Sequence, residues 1–538
     1  MKQSFADRLR GGWEDKTGFS GRHLLLWSLG FTLFWGLLAH AYAFLQDSFS
    51  HDVLNALYAD GVETYWKMQL GRFGTVIYRR LIRVPLTMPW LCGLLGLFWA
   101  GLAVFLTGKL FELRSKLGLF VLSGIFTVNL TVIAMTASYL YEMDMDMFAL
   151  LLSAAAAFAW ARFGWPGAVL GALLCTGVLS LYQSYISVVL ALVMLLCIRR
   201  LLTGWRFRDA FFPGLRSILM LGAGGGLYYA LLQMMVRVKD ITLDTGSYNS
   251  VFTALEPGNN APGLLERLHA VYREFGGTFF DPAVSHLSAG AWRLNALLLI
   301  LAAVLLVWVL LKNRPGWAET LLALVLLALL PLGLNAARIF SGGAAHDLMK
   351  YGFWMIYLLP LLLALSLPGK KEMRLCSALA AALLLLLLWD NVQTANALYV
   401  KKDLEQDATL SLMTRAIGRI ENEPGYVPGE TTLVFVGAGG TLNPGVYGYE
   451  AYSDITGAES PSAIPFSDGT YYYNAYRAYF RYVLNTRVNL AEPAVWTKVQ
   501  EDERVADMPV YPAEGCLREL DGIWVMKLGE RVDWSEGE

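Results

Sequence analysis

The stretch Gln46–Pro89, QDSFSHDVLNALYADGVETYWKMQLGRFGTVIYRRLIRVPLTMP, lies between two long apolar runs at residues 24–45 and 89–107. From Val53 to Leu70 the apolar residues Leu54, Leu57, Tyr58, Val62, Tyr65, Trp66 and Leu70 recur every three or four positions, which predicts one face of a helix. Asp60, Glu63 and Lys67 fall opposite, with Glu63 and Lys67 in the favourable i, i+4 order. A helix that is apolar on one side, too charged to span and rich in Tyr and Trp is expected to lie in a membrane interface. Ser50-His51-Asp52 precedes it and Gly71-Arg72 follows. The loop therefore brings an acid, an imidazole and a fixed cation to a bilayer surface.

Working outward, the rest of the chain reads as membrane protein. Of its 538 residues 56% are hydrophobic and 16% charged, the mean hydropathy is +0.45, and a soluble domain carries about 25% charged residues. Apolar runs near the length needed to cross hydrocarbon predict about eleven spans. They fall at roughly 24–45, 89–107, 117–135, 147–161, 166–181, 184–199, 213–236, 293–311, 317–334, 351–367 and 374–391. The first run is too long, and its successors too many, for a cleavable signal peptide. Basic residues mark alternate loops: Lys2, Arg8, Arg10, Lys16 and Arg22; Lys109, Arg114 and Lys116; Arg199, Arg200, Arg206 and Arg208; Lys312 and Arg314; Lys370, Lys371 and Arg374. The positive-inside rule then puts the N-terminus of this multi-pass membrane protein in the cytoplasm and the C-terminal domain outside. Residues 166–199 are almost unbroken apolar sequence. Two short helices meeting at Tyr182-Gln183-Ser184-Tyr185 satisfy the charge rule; one long tilted helix does not.

The expected organisation is a cytoplasmic tail at 1–23, an all-α polytopic domain at 24–391 with its first outer loop at 46–88, and an extracytoplasmic α/β domain at 392–538. In that last region a helix is predicted from about 401 to 421, strands at Thr431–Val436 and Ile523–Leu528, and an aromatic helix at Tyr471–Leu484. The glycines Gly437, Gly439 and Gly440 make no nucleotide fingerprint, because no helix starts directly after them. Four of five cysteines sit in spans and only Cys516 in the outer domain, so no disulfide is expected there, and no zinc-type spacing is present. A net charge of −1 without a basic stripe argues against a nucleic-acid partner. No internal repeat marks an inverted-repeat transporter.

Two further outer turns carry strong polar groups. Tyr139–Asp146 holds the carboxylates Glu142, Asp144 and Asp146 with no Lys or Arg nearby in sequence. Residues 335–351 are rich in small residues yet hold Arg338, His346, Asp347 and Lys350, the kind of loop on which binding sites are built.

Four pieces in order carry a resemblance: Ser50-His51-Asp52-x-Leu54-Asn55 with Leu70-Gly71-Arg72-Phe73; Tyr141-Glu142-Met143-Asp144; Leu181-Tyr182-Gln183-Ser184-Tyr185; and His346-Asp347-Leu348-Met349-Lys350-Tyr351. With them, residues 20–400 resemble the GtrII-type bacterial membrane glucosyltransferases of the GT-C superfamily. That resemblance implies a GT-C-like fold and a polyprenyl-phosphate sugar donor. It also implies transfer at the outer face of the cytoplasmic membrane, and a catalytic acid in the first outer loop.

Moving a sugar from a lipid phosphate to a hydroxyl needs a carboxylate to take the acceptor's proton and cations to hold the departing phosphate. Asp52 is the first candidate base and Asp60 the second; Asp52 equally suits a helix N-cap, and Asp60 a solvated helix face. Arg72 suits bidentate phosphate binding, or a helix C-terminus, with Lys350 and Arg338 as further phosphate contacts. Arg79, Arg80 and Arg83 read as contacts to anionic lipid. His51, Glu142, Asp144, Tyr182, Gln183 and His346 are candidates for sugar or acceptor, and the two carboxylates would suit Mg or Mn although their spacing does not demand a metal. The expected function is transfer of a glucose-like sugar to a cell-envelope glycan such as O-antigen or teichoic acid. The rival readings are a transporter or flippase of lipid-linked sugar, disfavoured by the scarcity of charge inside the spans, and a non-catalytic envelope scaffold.

Overall fold

The computed structural model describes residues 21–46, 54, 60–84, 87–244, 263–281, 290–340, 346–437 and 476–530. These form two compact units. One takes in the chain as far as Phe44, Tyr65–Met135 and Tyr141–Ala395, and the other takes in Leu45–Thr64, Thr136–Leu140 and the chain from Asn396 onward.

The first unit is helical. Its elements are α1 (Gly21–Leu45), α2 (Asp60–Gln69, which enters this unit at Tyr65), α3 (Phe73–Ile82), α4 (Pro89–Leu110), α5 (Lys116–Thr127), α6 (Leu130–Ser138, in this unit as far as Met135), α7 (Met143–Leu181), α8 (Ile186–Leu202), α9 (Phe207–Lys239), α10 (Leu264–Phe280), α11 (Ala291–Asn313), α12 (Trp317–Leu334), α13 (Leu358–Leu365) and α14 (Lys370–Glu421, in this unit as far as Ala395). Local chemistry sets several boundaries. Pro89 opens α4, where its missing N–H costs nothing. The Ser115 hydroxyl caps α5 by accepting from the Gly118 amide at 3.3 Å.

Among the described residues eight helices are long and apolar enough to cross a membrane, or nine if the bent pair α5–α6 is one span, rather than eleven. The difference arises in three places. The expected span at 117–135 breaks between Thr127 and Leu130 with a 43° bend. A broken helix exposes carbonyls that hydrocarbon cannot satisfy. Here side chains supply the donors: Tyr351 Oη reaches Phe126 O at 2.7 Å, His40 Nε2 reaches Thr127 O at 2.8 Å, and Asn391 Nδ2 reaches Val128 O at 2.9 Å. The expected span at 351–367 is a 3-10 turn followed by the short α13.

The third place is a matter of counting: α7 is one continuous 39-residue run, and its two arms cover the two spans expected at 147–161 and 166–181. It folds back on itself at Gly164, whose φ of +64° and ψ of −132° no helix contains. The glycines beyond that point face the first arm in reverse order. A Cβ on Gly167 would overlap the Ala159 carbonyl, one on Gly171 would lie 3.4 Å from Ala156 O, and one on Gly177 would lie 3.0 Å from Leu152 Cδ1. The arms are therefore antiparallel and close because these positions lack a side chain. Gly167→Ala is expected to force them apart and cost about 1–3 kcal/mol, the range for overpacking. It should lower the thermal midpoint of the purified protein, while Gly214→Ala in α9, where an added Cβ meets nothing within 4 Å, should not. Equal midpoints would remove the close-approach argument.

The second unit carries a four-stranded sheet near the C-terminus. Strands β1 (Thr432–Val436), β2 (Asn489–Leu490), β3 (Leu517–Leu520) and β4 (Ile523–Lys527) lie in the order β2-β1-β4-β3. β1 runs parallel to β2 and β4, with Val434 opposite Val525, and β3 and β4 form an antiparallel pair. The helix α15 (Pro493–Gln500) follows β2, and its Trp496 donates Nε1–H to Phe435 O at 3.0 Å. Met413, Ile417 and Ile420 of the last part of α14 complete the core with Phe435, Phe480 and Met526. Both strands expected here are present within a residue of their predicted ends, while β2 and β3 were not foreseen. The aromatic helix is described from Tyr476, and Gly439 and Gly440 lie outside the described residues.

Leu54 is wholly buried in this same core, so the expected first outer loop is divided between the units at Thr64/Tyr65. The single interfacial helix foreseen from Val53 to Leu70 is described as α2 only from Asp60.

Candidate active site

The site begins with a helix whose polarity is inverted. In α3 and its flanks Arg72, Arg79 and Arg83 expose only 8%, 7% and 8% of their surface, while Ile77 and Leu81 expose 50% and 77%. Positions seven and four apart share one helix face, and that face, the cationic one, points inward. The same holds for α2, where Lys67 is buried and Tyr65 and Trp66 are exposed. Against the expectation of a hydrated charged face and of lipid-contacting arginines, only Arg80 is exposed among Arg79, Arg80 and Arg83. Amphipathic reasoning assumes water outside; a helix whose outer neighbour is hydrocarbon turns its charges in.

Close packing holds this helix in place. A Cβ on Gly74 would run into Ser180 of α7, and Phe73 stacks on Tyr228 of α9 with centroids 5.9 Å apart. The Gln183 amide, at the break between α7 and α8, donates to Leu70 O at 2.7 Å and to Tyr228 Oη at 3.1 Å. Tyr228 in turn donates to Gly71 O at 3.1 Å. Gln183 thus clamps the loop that presents Arg72.

The acidic turn supplies the counter-charges. Glu142 pairs with Lys67 at 2.5 Å and lies 3.9 Å from Arg79. Asp144 takes a two-pronged contact from Arg83, Nε to Oδ2 at 2.8 Å and Nη2 to Oδ1 at 3.2 Å, and Arg83 also donates to the Tyr141 carbonyl. Burial opposes the charge on Arg83, but the Asp144 carboxylate outweighs it and raises its pKa above the usual guanidinium value. Burial, reinforced by the same carboxylate, pushes the Tyr78 phenol up as well. These carboxylates have no basic neighbour in sequence; their partners lie some 60–75 residues earlier and meet them only in the fold.

Two charged groups remain. The Arg72 guanidinium stacks over the Tyr182 ring at 4.2 Å, and its Nε is buried with no hydrogen-bond partner. Asp146, nine-tenths buried, has no hydrogen bond or ion pair among the described residues; the charges acting on it are Glu142, Arg72, Lys67 and Asp144. The Ser184 and Tyr185 hydroxyls, on the turn that carries Tyr182, are also buried without partners.

The structure thus brings together Arg72, Glu142, Asp144, Tyr182 and Gln183, and adds Lys67, Arg79, Arg83, Asp146 and Tyr228. The missed arginines had a signal, the helical spacing of Arg72, Arg79 and Arg83. Arg338 and Lys350 belong to a second group in which each meets a carboxylate, Arg338 with Glu274 at 2.6 Å and Lys350 with Asp347 at 2.9 Å. His346 is half-buried at the start of the Asp347 turn. His51 and Asp52 lie outside the described residues; Asp60 begins α2, and its side chain lies outside them too. Among the described residues no three His, Cys, Asp or Glu gather as a metal site. Glu142 and Asp144 are already held by cations and do not present themselves as a divalent-ion pair.

Several long apolar helices are compatible with a multi-pass membrane protein, and the cluster gathers buried cations and carboxylates at one end of α7. The family described as Glucosyl transferase GtrII matches residues 41–363, well over half the chain. The chain belongs to that family and is a glycosyltransferase. The match covers every residue of the cluster. No curated protein matches the chain.

Proposed function

We propose that this glycosyltransferase moves a glucose-like sugar from a polyprenyl-phosphate donor to a cell-envelope glycan at the outer face of the bacterial cytoplasmic membrane. The observation that carries the reading is Arg72: a buried guanidinium, stacked on Tyr182, with an unpartnered Nε and no ion pair among the described residues. A guanidinium left open in this way is suited to a phosphate oxyanion. In the transfer the sugar's anomeric C–O bond to phosphate breaks, and Arg72 holds the released phosphate. The acceptor hydroxyl loses its proton to a carboxylate as the new glycosidic bond forms.

Asp52 is retained as that base and Asp60 as its alternate, with Asp146 the member of the acidic turn that no cation occupies. In this reading Arg338 and Lys350 are further contacts for the donor phosphate, and His51, Tyr182 and His346 are contacts for the sugar and acceptor. The test is transfer by protein reconstituted in lipid, supplied with polyprenyl-phosphate glucose and envelope glycan. Wild type is expected to transfer, and Asp52→Asn to lose about 100-fold or more, as for a general base. Full activity in Asp52→Asn together with loss in Asp146→Asn would move the base to the acidic turn. Transfer from nucleotide-glucose but not from the lipid-linked donor would overturn the reading.

A further inference from the structure

The two arms of α7 are antiparallel, so Glu142–Asp146 and Tyr182 lie at one end and the Gly164 turn at the other. The 21 residues from Met143 to Phe163 place these ends about 30 Å apart at 1.5 Å per residue, which is the thickness of a hydrocarbon core. Beside the Gly164 turn lies a cavity of about 340 Å³ lined by Trp165, Phe212, Pro213, Leu215, Arg216 and Leu219. Trp165, Phe212, Leu215 and Leu219 are exposed, and the one charged side chain in the lining is Arg216.

Arg216 is held rigidly. Its Nη2 donates to Trp160 O at 2.8 Å, and its guanidinium lies 5.8 Å from the Trp160 ring centroid. Trp160 itself is pinned by donating to Pro213 O at 3.0 Å. Yet Arg216 Nε is buried with no hydrogen-bond partner, and no carboxylate pairs with Arg216 among the described residues. The other charge acting on it is Arg200, a cation. A buried charged donor left unmade is costly, and here an apolar trough runs out from it along Leu215 and Leu219.

We propose that this groove binds the headgroup of an anionic glycerophospholipid of the leaflet opposite the Arg72 site. The lipid phosphate accepts from Arg216 Nε, and the first acyl carbons lie against Phe212, Leu215 and Leu219. A zwitterionic lipid offers the same phosphate but carries its own ammonium, which offsets the attraction, and free phosphate leaves the trough empty; the combination of an uncompensated guanidinium with an apolar channel favours a lipid that carries net negative charge. Neither the groove nor its occupant depends on which sugar donor the enzyme uses.

The test is native mass spectrometry of the full chain released from detergent with phosphatidylglycerol or phosphatidylcholine of equal chain length. Wild type is expected to retain one phosphatidylglycerol at about fivefold higher occupancy than phosphatidylcholine, the selectivity of one cation for one anionic headgroup. Arg216→Gln should bring the two lipids level, and Arg216→Lys should keep part of the preference. Leu219→Trp, which fills the trough and leaves the cation, should also lose the bound lipid, and it decides the matter should Arg216→Gln not fold. Equal retention of both lipids by wild type, or unchanged phosphatidylglycerol retention in Leu219→Trp, would overturn the proposal. So would displacement of the lipid by millimolar inorganic phosphate, or a preference for polyprenyl phosphate over phosphatidylglycerol.

Discussion

Asp144→Asn is expected to destabilise the protein by about 3–5 kcal/mol, the cost of leaving one partner of a buried ion pair uncompensated. Arg83 exposes 2% of its side chain and Asp144 none, so water cannot replace the lost carboxylate. The amide keeps the shape and can still accept one hydrogen bond, but the guanidinium's charge stays buried without its opposite. Arg83→Met is expected to fail to a similar degree for the converse reason. The double substitution Arg83→Met with Asp144→Leu removes both charges and should recover most of the thermal midpoint, because a well-packed apolar pair often equals a buried ionic one. The measurement is thermal unfolding of the three variants in the same detergent. If the double variant is as unstable as the singles, apolar replacement does not substitute for the pair.

Arg72→Ala is expected to lower kcat/KM for the lipid-linked donor by about 100- to 1000-fold, the scale seen when one preorganised donor to a developing oxyanion is removed. Stability should change little, since Arg72 makes no ion pair among the described residues and loses chiefly its stacking on Tyr182. Arg72→Lys should recover only part of the activity. A lysine keeps the charge but loses the planar fork and the ring stacking. Steady-state rates at varied donor concentration separate the outcomes: a loss under about threefold in Arg72→Ala would take Arg72 out of phosphate binding. Positions 72 and 83 are both buried arginines on one helix face. Arg83 is neutralised by Asp144, whereas Arg72 keeps a buried Nε without a hydrogen-bond partner.

Much of this was legible without coordinates. Apolar runs near bilayer length must become helices, because hydrocarbon leaves a backbone no other partner, and the ends of α4, α8, α11 and α12 follow the runs closely. The region beyond residue 392, where the composition changes, carries the small sheet, and the strand expected at Thr431–Val436 is its β1. Ordered polar motifs at 70–73, 141–144 and 181–185 marked pieces that meet in one site.

The tertiary structure decided the rest. Which face of α2 and α3 turns inward depends on whether the outside is water or lipid, and periodicity is blind to that; Lys67, Arg79 and Arg83 therefore read as solvent- or lipid-facing when they are the counter-ions of Glu142 and Asp144. Which of four buried cations stays unpaired is likewise not a local property. It follows from the fold-back at Gly164 and the break at Tyr182, which set a carboxylate beside Lys67 and Arg83 and an aromatic ring beneath Arg72. Charge along a chain is read from its letters, but neutralisation is a matter of distance, and distance comes only with folding.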